Sequence, residues 1–227
     1  RPQDAQETLQ KGGIRSQLEN NPLQIKQNTQ KGIVSISDDL SLLETFPSDI
    51  VLEITGTVDY GAEVSIRAIR SGKHLVTMNP ELQATVGSEL KILADEHKVL
   101  ISDVIGDQPG SLARLIGQAK LMGFRVLMAG NMKRYLDIQA TQEKMRPWAQ
   151  DKGLAVRQTT SFTDGTKQAI EMNLVANYFG MKVLQRGMVG AAVESVHDVL
   201  TKFDCKKMPK ECVVDYVIGK TLFHGVF

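Results

Sequence analysis

From Ile33 onward, short apolar runs alternate with stretches of helical periodicity, and that alternation restricts the chain to few folds. The runs DIVLEIT (49–55), HLVTM (74–78), VLISDVI (99–105) and FRVLMAG (124–130) are strand-like. Between them lie helical stretches at 60–73, with Ala62, Ile66 and Ile69 on one face, at 86–98, and at 110–123, where Gly123 is placed to end the helix. Strand–helix units of this length imply right-handed crossovers and a mainly parallel sheet, hence an α/β fold class. Ligands of such sheets sit at the carboxyl ends of the strands. Three polar stretches fall there: Thr55-Gly56, Asn79-Pro80-Glu81, and GDQPG (106–110).

The rest is less regular. The first thirty residues are polar, and QLENNPLQIKQNTQKG (17–32) has the composition of an exposed, weakly structured insertion, which leaves no obvious first strand. Past Gly130, Pro147 is expected to start a fresh helical turn, LAVRQTTSF (154–162) to form a strand, and DGTKQAIEMNLVANYFG (164–180) a helix with Ile170, Leu174 and Val175 as its apolar face. A boundary at Gly106 divides a nucleotide-binding-like part, residues 1–105, from a substrate-binding part, residues 106–227.

Bulk properties exclude several classes. The 27 Lys and Arg are interspersed with 26 Asp and Glu, so no basic stripe suits nucleic acid. No apolar run reaches the length of a bilayer span. Cys205 and Cys212 have no zinc-spaced partners and read as two thiols of a cytoplasmic protein. The histidines at 74, 97, 197 and 224 are scattered and suggest no metal site.

The glycine-rich fingerprint of dinucleotide folds is absent; GMVGAA (187–192) has the wrong spacing. Yet the segment 48–110, together with AGNMKRYLD (129–137), DGTKQAIEMNLVAN (164–177) and VVDYVIGKTLFHGVF (213–227), resembles the homoserine-dehydrogenase-like oxidoreductases that carry a C-terminal SAF domain. That group includes the deoxyxylulose-phosphate reductoisomerase-like enzymes. The resemblance covers most of the chain from residue 33. It implies a Rossmann-like mainly parallel sheet followed by an α/β substrate-binding domain, NADP or NAD as cofactor, a small-molecule substrate and a homo-oligomer, with a dimer as the expectation. It also implies that the glycine-rich loop precedes Arg1 and the SAF domain follows Phe227.

On that basis Arg1, Thr55, Gly56, Asn79 and Glu81 are candidate cofactor contacts. Arg1 falls just past the family's second strand, where an arginine can meet a 2′-phosphate. The family segment at Asn79 runs Asn-Lys in homoserine dehydrogenases; here Pro80 and Glu81 follow the asparagine, so the proton source should differ. A plainer alternative makes Asn79 and Glu81 caps. Lys133, Lys167 and Asp107 are candidate catalytic residues, and Gln108, Asp164, Gly165 and Glu171 candidate substrate contacts. A lysine at a strand end can protonate a carbonyl oxygen if burial lowers its pKa. Lys167 lies just inside a helix amino terminus suited to an anion, although a solvated Lys167–Glu171 pair and a plain turn at 106–110 explain the same letters. The family pattern near Lys133 has a second lysine, replaced here through Asn131-Met132, which leaves substrate identity open. The expected activity is NAD(P)-dependent oxidoreduction of a small hydroxyaldehyde, polyol or sugar phosphate, with coupled isomerisation as one form of it. Homoserine dehydrogenase proper and a non-catalytic ligand sensor are the alternatives.

Overall fold

The computed structural model describes residues 1–223 and 225–227, the side chain of Cys205 excepted. His224 and the Cys205 thiol therefore lie outside the described residues. Helix α1 (Pro2–Lys11) leads into β1 (Ser16–Leu18), α2 (Pro22–Gln30) and β2 (Val34–Ile36), and the two strands pair in parallel with Ser16 opposite Val34. The expected weak insertion is thus an ordered strand–helix–strand unit. Asn21 caps α2 by accepting the Leu23 amide at 2.9 Å, Pro22 takes the first helical position, and Ile25 and Asn28 are buried one turn apart. Asn28 then donates to Ser35 Oγ at 3.1 Å, tying the helix to β2.

After a single turn, α3 (Leu42–Thr45), the chain runs through β3 (Ile50–Glu53), α4 (Val58–Arg70), β4 (His74–Thr77), α5 (Pro80–Glu96) and β5 (Ile101–Asp103). The strands form a parallel sheet in the order β3-β4-β5, with Ile50 opposite His74 and Leu75 opposite Ile101. Val51, Ile69, Leu75, Leu82, Leu90 and Ala94 close its core. Helix α5 begins at Pro80 rather than at residue 86, because the Asn79 side chain caps it and the proline suits its first position. On the other face of β3, Ile50, Leu52 and Ile54 are more than half exposed. Among the described residues that strand pairs with β4 alone.

The remaining elements are α6 (Gln108–Leu121), β6 (Met128–Lys133), α7 (Gln142–Asp151), α8 (Val156–Thr163), α9 (Thr166–Phe179), β7 (Ala191–Ala192), α10 (Val199–Lys202), β8 (Val213–Ile218) and β9 (Gly225–Val226). Their sheet has the order β7-β8-β6-β9 and is parallel except at β6–β9. The α/β, mainly parallel expectation is therefore correct. Leu112, Ile116, Ala129, Met172, Val175 and Val214 form its core, and α5 of the first sheet packs on α9 of the second.

Four local expectations are corrected. Residues 156–163 are helical, not a strand: Thr159, Thr160 and Thr163 are buried at helical spacing, and Thr160 and Thr163 hydroxyls bond back to the carbonyls four residues earlier, at 2.8 and 2.9 Å. That back-bonding lets threonine sit in a helix despite its preference for strands. Pro147 lies inside α7 rather than starting a helix; it removes one backbone bond near an exposed amino-terminal turn capped by Thr141. Strand β6 runs later than 124–130, which makes Lys133 its last residue. The buried face of α9 carries Gln168, Glu171, Met172, Val175 and Ala176, while Ile170 and Leu174 are only half-buried. Gly123 follows the end of α6 at φ +84°, as expected of a residue that ends a helix.

Candidate functional site

Two polar clusters occupy strand ends. The first is built on Glu53, the last residue of β3, whose side chain points with Val51 into the buried face. Its Oε1 accepts from the Thr55 amide at 2.8 Å, the Thr55 hydroxyl at 2.6 Å and Asn79 Nδ2 at 3.3 Å; its Oε2 accepts from Thr77 Oγ1 at 2.8 Å. A buried carboxylate persists only when donors surround it in this way. Gly61 of α4 fits against the knot because it has no Cβ: one would stand 2.9 Å from Asn79 Nδ2. The result is a fixed, exposed Thr55-Gly56 turn, with Gly56 at φ +68°. Asn79 itself is fully buried, caps α5 through the Leu82 amide at 3.2 Å and donates to Thr57 O at 2.9 Å. It therefore holds the turn in place and presents no free amide hydrogen to a cofactor. Glu81 is half-buried in the first turn of α5, where its charge meets the helix amino terminus. Arg1 stands apart, 83% exposed at its side chain and paired with Asp4 at 3.1 Å.

The second cluster joins three elements. Asn131 of β6 is fully buried, and its Nδ2 reaches Gln108 Oε1, Gln168 Oε1 (3.2 Å) and Glu171 Oε2 (3.2 Å). Lys133 Nζ lies 3.4 Å from Gln108 Oε1. Lys167 Nζ lies 3.4 Å from Glu171 Oε1 and 3.9 Å from Asp107 Oδ1. Lys133 and Gln108 are half-buried and the Lys167 side chain is 17% exposed, so these three are the members that solvent reaches; Glu171 and Gln168 form the buried floor. The plainer alternative, a solvated Lys167–Glu171 pair, does not hold: the pair forms, but its carboxylate has no solvent contact. Asp164 spends its carboxylate on the Thr166 amide at 2.8 Å, and Gly165 makes the left-handed turn before α9 at φ +89°.

Burial dominates the electrostatics. It raises the Glu171 carboxyl to about 7, against the opposing charges of Lys133 and Lys167 and with Asp107 adding to the rise. Burial also lowers the Lys133 ammonium, opposed by Glu171 and reinforced by Lys167. Behind the cluster, Asp103 rises to about 6 through burial and the nearby Asp107, while the Val104 and Gly110 amides and Gln83 pull it down. Such a set of perturbed groups at a strand end marks a functional candidate.

Residues 106–227 match the family described as the catalytic domain of the oxidoreductase DRL. The chain belongs to this DRL oxidoreductase family. The chain is also 29% identical over 145 residues to homoserine dehydrogenase of Bacillus subtilis (strain 168), covering 60% of this chain and 34% of that protein. It is 27% identical over 142 residues to the Lactococcus lactis enzyme of the same name, covering 58% and 33%. It thus spans about a third of the length of these curated relatives. Partial likenesses to solved structures include the WlbA dehydrogenase of Bordetella pertussis, determined with NADH and UDP-GlcNAcA (18% identity, TM-score 0.38, 59% of this chain and 38% of that one). Biliverdin reductase of Synechocystis sp. PCC 6803, determined with biliverdin and NADP+, is another (20%, 0.33, 56% and 40%).

In this chain, Asp107, Gln108, Lys133, Lys167 and Glu171 come together, with Asp164 and Gly165 at the adjoining turn, while Thr55, Gly56 and Asn79 meet at the other cluster. Glu53, Asn131 and Gln168 are the residues that motif reasoning passes over. A signal for Glu53 exists: a carboxylate inside the apolar run DIVLEIT must be paired if the run is buried. Among the described residues no group of His, Cys, Asp or Glu is placed to hold a metal, and no helix is long and apolar enough to cross a membrane.

Proposed function

We propose that this chain is the catalytic part of an NAD(P)-dependent oxidoreductase that acts on a small hydroxyaldehyde, polyol or sugar phosphate. The single observation that carries this reading is Lys133, a half-buried lysine ending β6 with a lowered pKa, in a chain whose family is an oxidoreductase family. The fixed Thr55-Gly56 turn at the carboxyl end of β3 fits the nicotinamide side of a dinucleotide. The edge of β3, unpaired among the described residues, suits a further strand, the one that would carry the glycine-rich loop, and its exposed apolar face suits a covering helix. Arg1 is exposed and can leave Asp4 for a 2′-phosphate, which favours NADP over NAD. When bound, the nicotinamide supplies or takes a hydride. Lys133 Nζ donates a proton to the carbonyl oxygen as negative charge develops there, and Gln108 Oε1 orients the ammonium. Coupled isomerisation, as in reductoisomerase-like enzymes, belongs to the same reading.

Lys133→Met in the full-length protein tests it, with NADPH and NADH consumption measured against a panel of hydroxyaldehydes, ketoses and their phosphates. The variant should lose on the order of a hundredfold in kcat with KM little changed, since the interaction forms in the transition state. Because the ammonium is the acting form, the wild-type rate should fall as pH rises through the Lys133 pKa, and the variant should lose that limb. Equal kcat in a folded variant would sink the assignment. Homoserine dehydrogenase activity is the second reading, favoured by the curated relatives. Pro80 stands against it, occupying the place of the lysine in the Asn-Lys pair. Turnover of homoserine by the same protein would reverse that preference, and tight cofactor binding without turnover anywhere would favour a sensor.

A further inference from the structure

Six buried side-chain polar atoms make no hydrogen bond among the described residues, and four of them lie in the second cluster: Asp107 Oδ2, Asn131 Oδ1, Gln168 Nε2 and Glu171 Oε1. Each belongs to a residue at most 5% exposed. Three of the four are acceptors, and of these Glu171 Oε1 faces the Lys167 ammonium at 3.4 Å; the one donor, Gln168 Nε2, is left for an acceptor from outside the chain. The first turn of α9 adds to it. No side chain caps this helix from Gly165. Asp164 takes the Thr166 amide and Gly165 O that of Ala169, which leaves the amides of Lys167 and Gln168 as the orphan donors of the turn. Asp107, at the start of α6, stands 3.9 Å from Lys167, so two helix amino termini converge here.

The free donors, the Lys167 and Gln168 amides and Gln168 Nε2, suit an anion, while the excess of acceptors beside them opposes it unless a proton is added. Lys167 is already flanked by two carboxylates, and an incoming anion would face both of them for one ammonium. We propose that the first turn of α9, with Lys167, binds an oxyanion of the substrate, a phosphate or a carboxylate, and that the anion enters together with one proton taken up by Glu171. The proposal deepens the oxidoreductase reading and rests on it only in calling the anion part of a substrate.

Glu171 is the member of the cluster fitted to take the proton. Asn131 has two amide hydrogens for three acceptors, and Asn131 Oδ1 and Asp107 Oδ2 receive no hydrogen bond, so a protonated Glu171 supplies a donor where acceptors are in excess. Burial already holds its carboxyl at about 7, and an anion nearby would raise it further. The charges acting on it are Lys133 from β6, Lys167 from its own helix and Asp107 from before α6. Of the other elements packed on α9, β8 turns its buried Asp215 to the Val189, Gly190 and Tyr216 amides instead, Arg157 of α8 is exposed, and on α5 only Glu81 is even half-buried among the charged residues. The sign follows: affinity is highest when Glu171 is neutral and declines as pH rises above its pKa in the free protein.

Titration calorimetry on the full-length protein, with sulfate as the phosphate-like probe and propanoate as the carboxylate probe, tests this in buffers of different ionisation enthalpy. Wild type should bind one probe about tenfold more weakly for each pH unit above 7 and take up close to one proton per anion at about pH 8. Glu171→Gln, which keeps the neutral shape, should bind alike across that range without proton uptake, and Lys167→Met should lose binding. Tighter sulfate identifies a phosphate subsite, tighter propanoate a carboxylate subsite. Absence of binding, pH-independent wild-type affinity, or the same uptake in Glu171→Gln would overturn the proposal. Should Glu171→Gln not fold, infrared spectra of wild type labelled with ¹³C-glutamate decide: the protonated-carboxyl band must grow when the bound probe is added at about pH 8, and its failure to grow is equally decisive. A protein that binds in this way but never oxidises or reduces a nicotinamide sinks the oxidoreductase reading alone.

Discussion

The Asn79 side chain uses three of its four hydrogen-bonding positions inside the protein: two hydrogens toward Thr57 O and Glu53 Oε1, and one lone pair for the Leu82 amide. Its amide is therefore a structural donor to a buried carboxylate, and any effect of Asn79 on a cofactor passes through the turn at Thr55. Asn79→Asp separates the two halves of this role. The carboxylate can still accept the Leu82 amide, but it loses both donors and sets a second negative charge beside Glu53. Denaturant unfolding should show a loss of about 2–4 kcal/mol at pH 8, from an unpaired buried charge. The new carboxyl has a raised pKa in the folded state, so the deficit should shrink as pH falls below that pKa and one member of the pair is protonated. An equal deficit at pH 5 and pH 8 would remove the charge argument. The same distinction explains what was legible residue by residue. Lys133, Lys167, Asp107 and Glu171 carry charge at strand ends and helix starts, where chemistry is expected. Asn131 and Gln168 are amides inside apolar runs, and only their burial on the same floor reveals them.

Elements were legible where the apolar period was strong and blurred where polar side chains did the packing. The alternation that predicted β3, β4 and β5 reflects a sheet whose core is aliphatic. Helix α8 packs through three threonines and α2 buries an asparagine, so neither shows an apolar stripe, although Asn21-Pro22 is a capping signal that could have marked α2. Strand β6 was displaced for a related reason, because its inner half, Gly130-Asn131, is small and polar yet buried. Gly130 is held there by its neighbour strand. A Cβ at this position would stand 2.2 Å from Asp215 O and 2.8 Å from Phe227 Cζ, closer than any side chain tolerates. Gly130→Ala should therefore force β6 away from β8 and cost about 1–3 kcal/mol or more. Thermal unfolding gives the loss, and amide exchange should show it concentrated at residues 128–133 and 213–218. A neutral substitution would mean that the sheet yields more easily than this spacing allows.

At the scale of the whole molecule, the parallel β3-β4-β5 sheet and the mixed β7-β8-β6-β9 sheet meet where their titratable groups are most perturbed. Helix α5 of the first sheet packs on α9 of the second, and Gln83 of α5 reaches Asp103 Oδ1 at 3.4 Å. Asp103 in turn accepts the Gly110 amide at 3.0 Å inside α6, so one carboxylate links β5, α5 and the helix that carries Asp107 and Gln108 into the site. This junction holds two acids with raised pKa values, Asp103 at about 6 and Glu171 at about 7. An acid raised in the folded state stabilises the fold most when both states are protonated, and that contribution is lost as pH climbs through the folded pKa. Asp39 and Asp137, lowered by hydrogen bonds to Ser41 and Lys144, act in the opposite sense, but Asp39 is exposed, Asp137 is paired with an exposed lysine, and their contribution is small. The melting temperature of wild type should accordingly fall between pH 5 and pH 8. Asp103→Asn with Glu171→Gln, which keeps neutral side chains of the same shape at both places, should flatten that decline. Scanning calorimetry across the interval decides the matter: the same slope in the double variant would show that the two carboxyls are paired well enough to ionise at no cost to the fold.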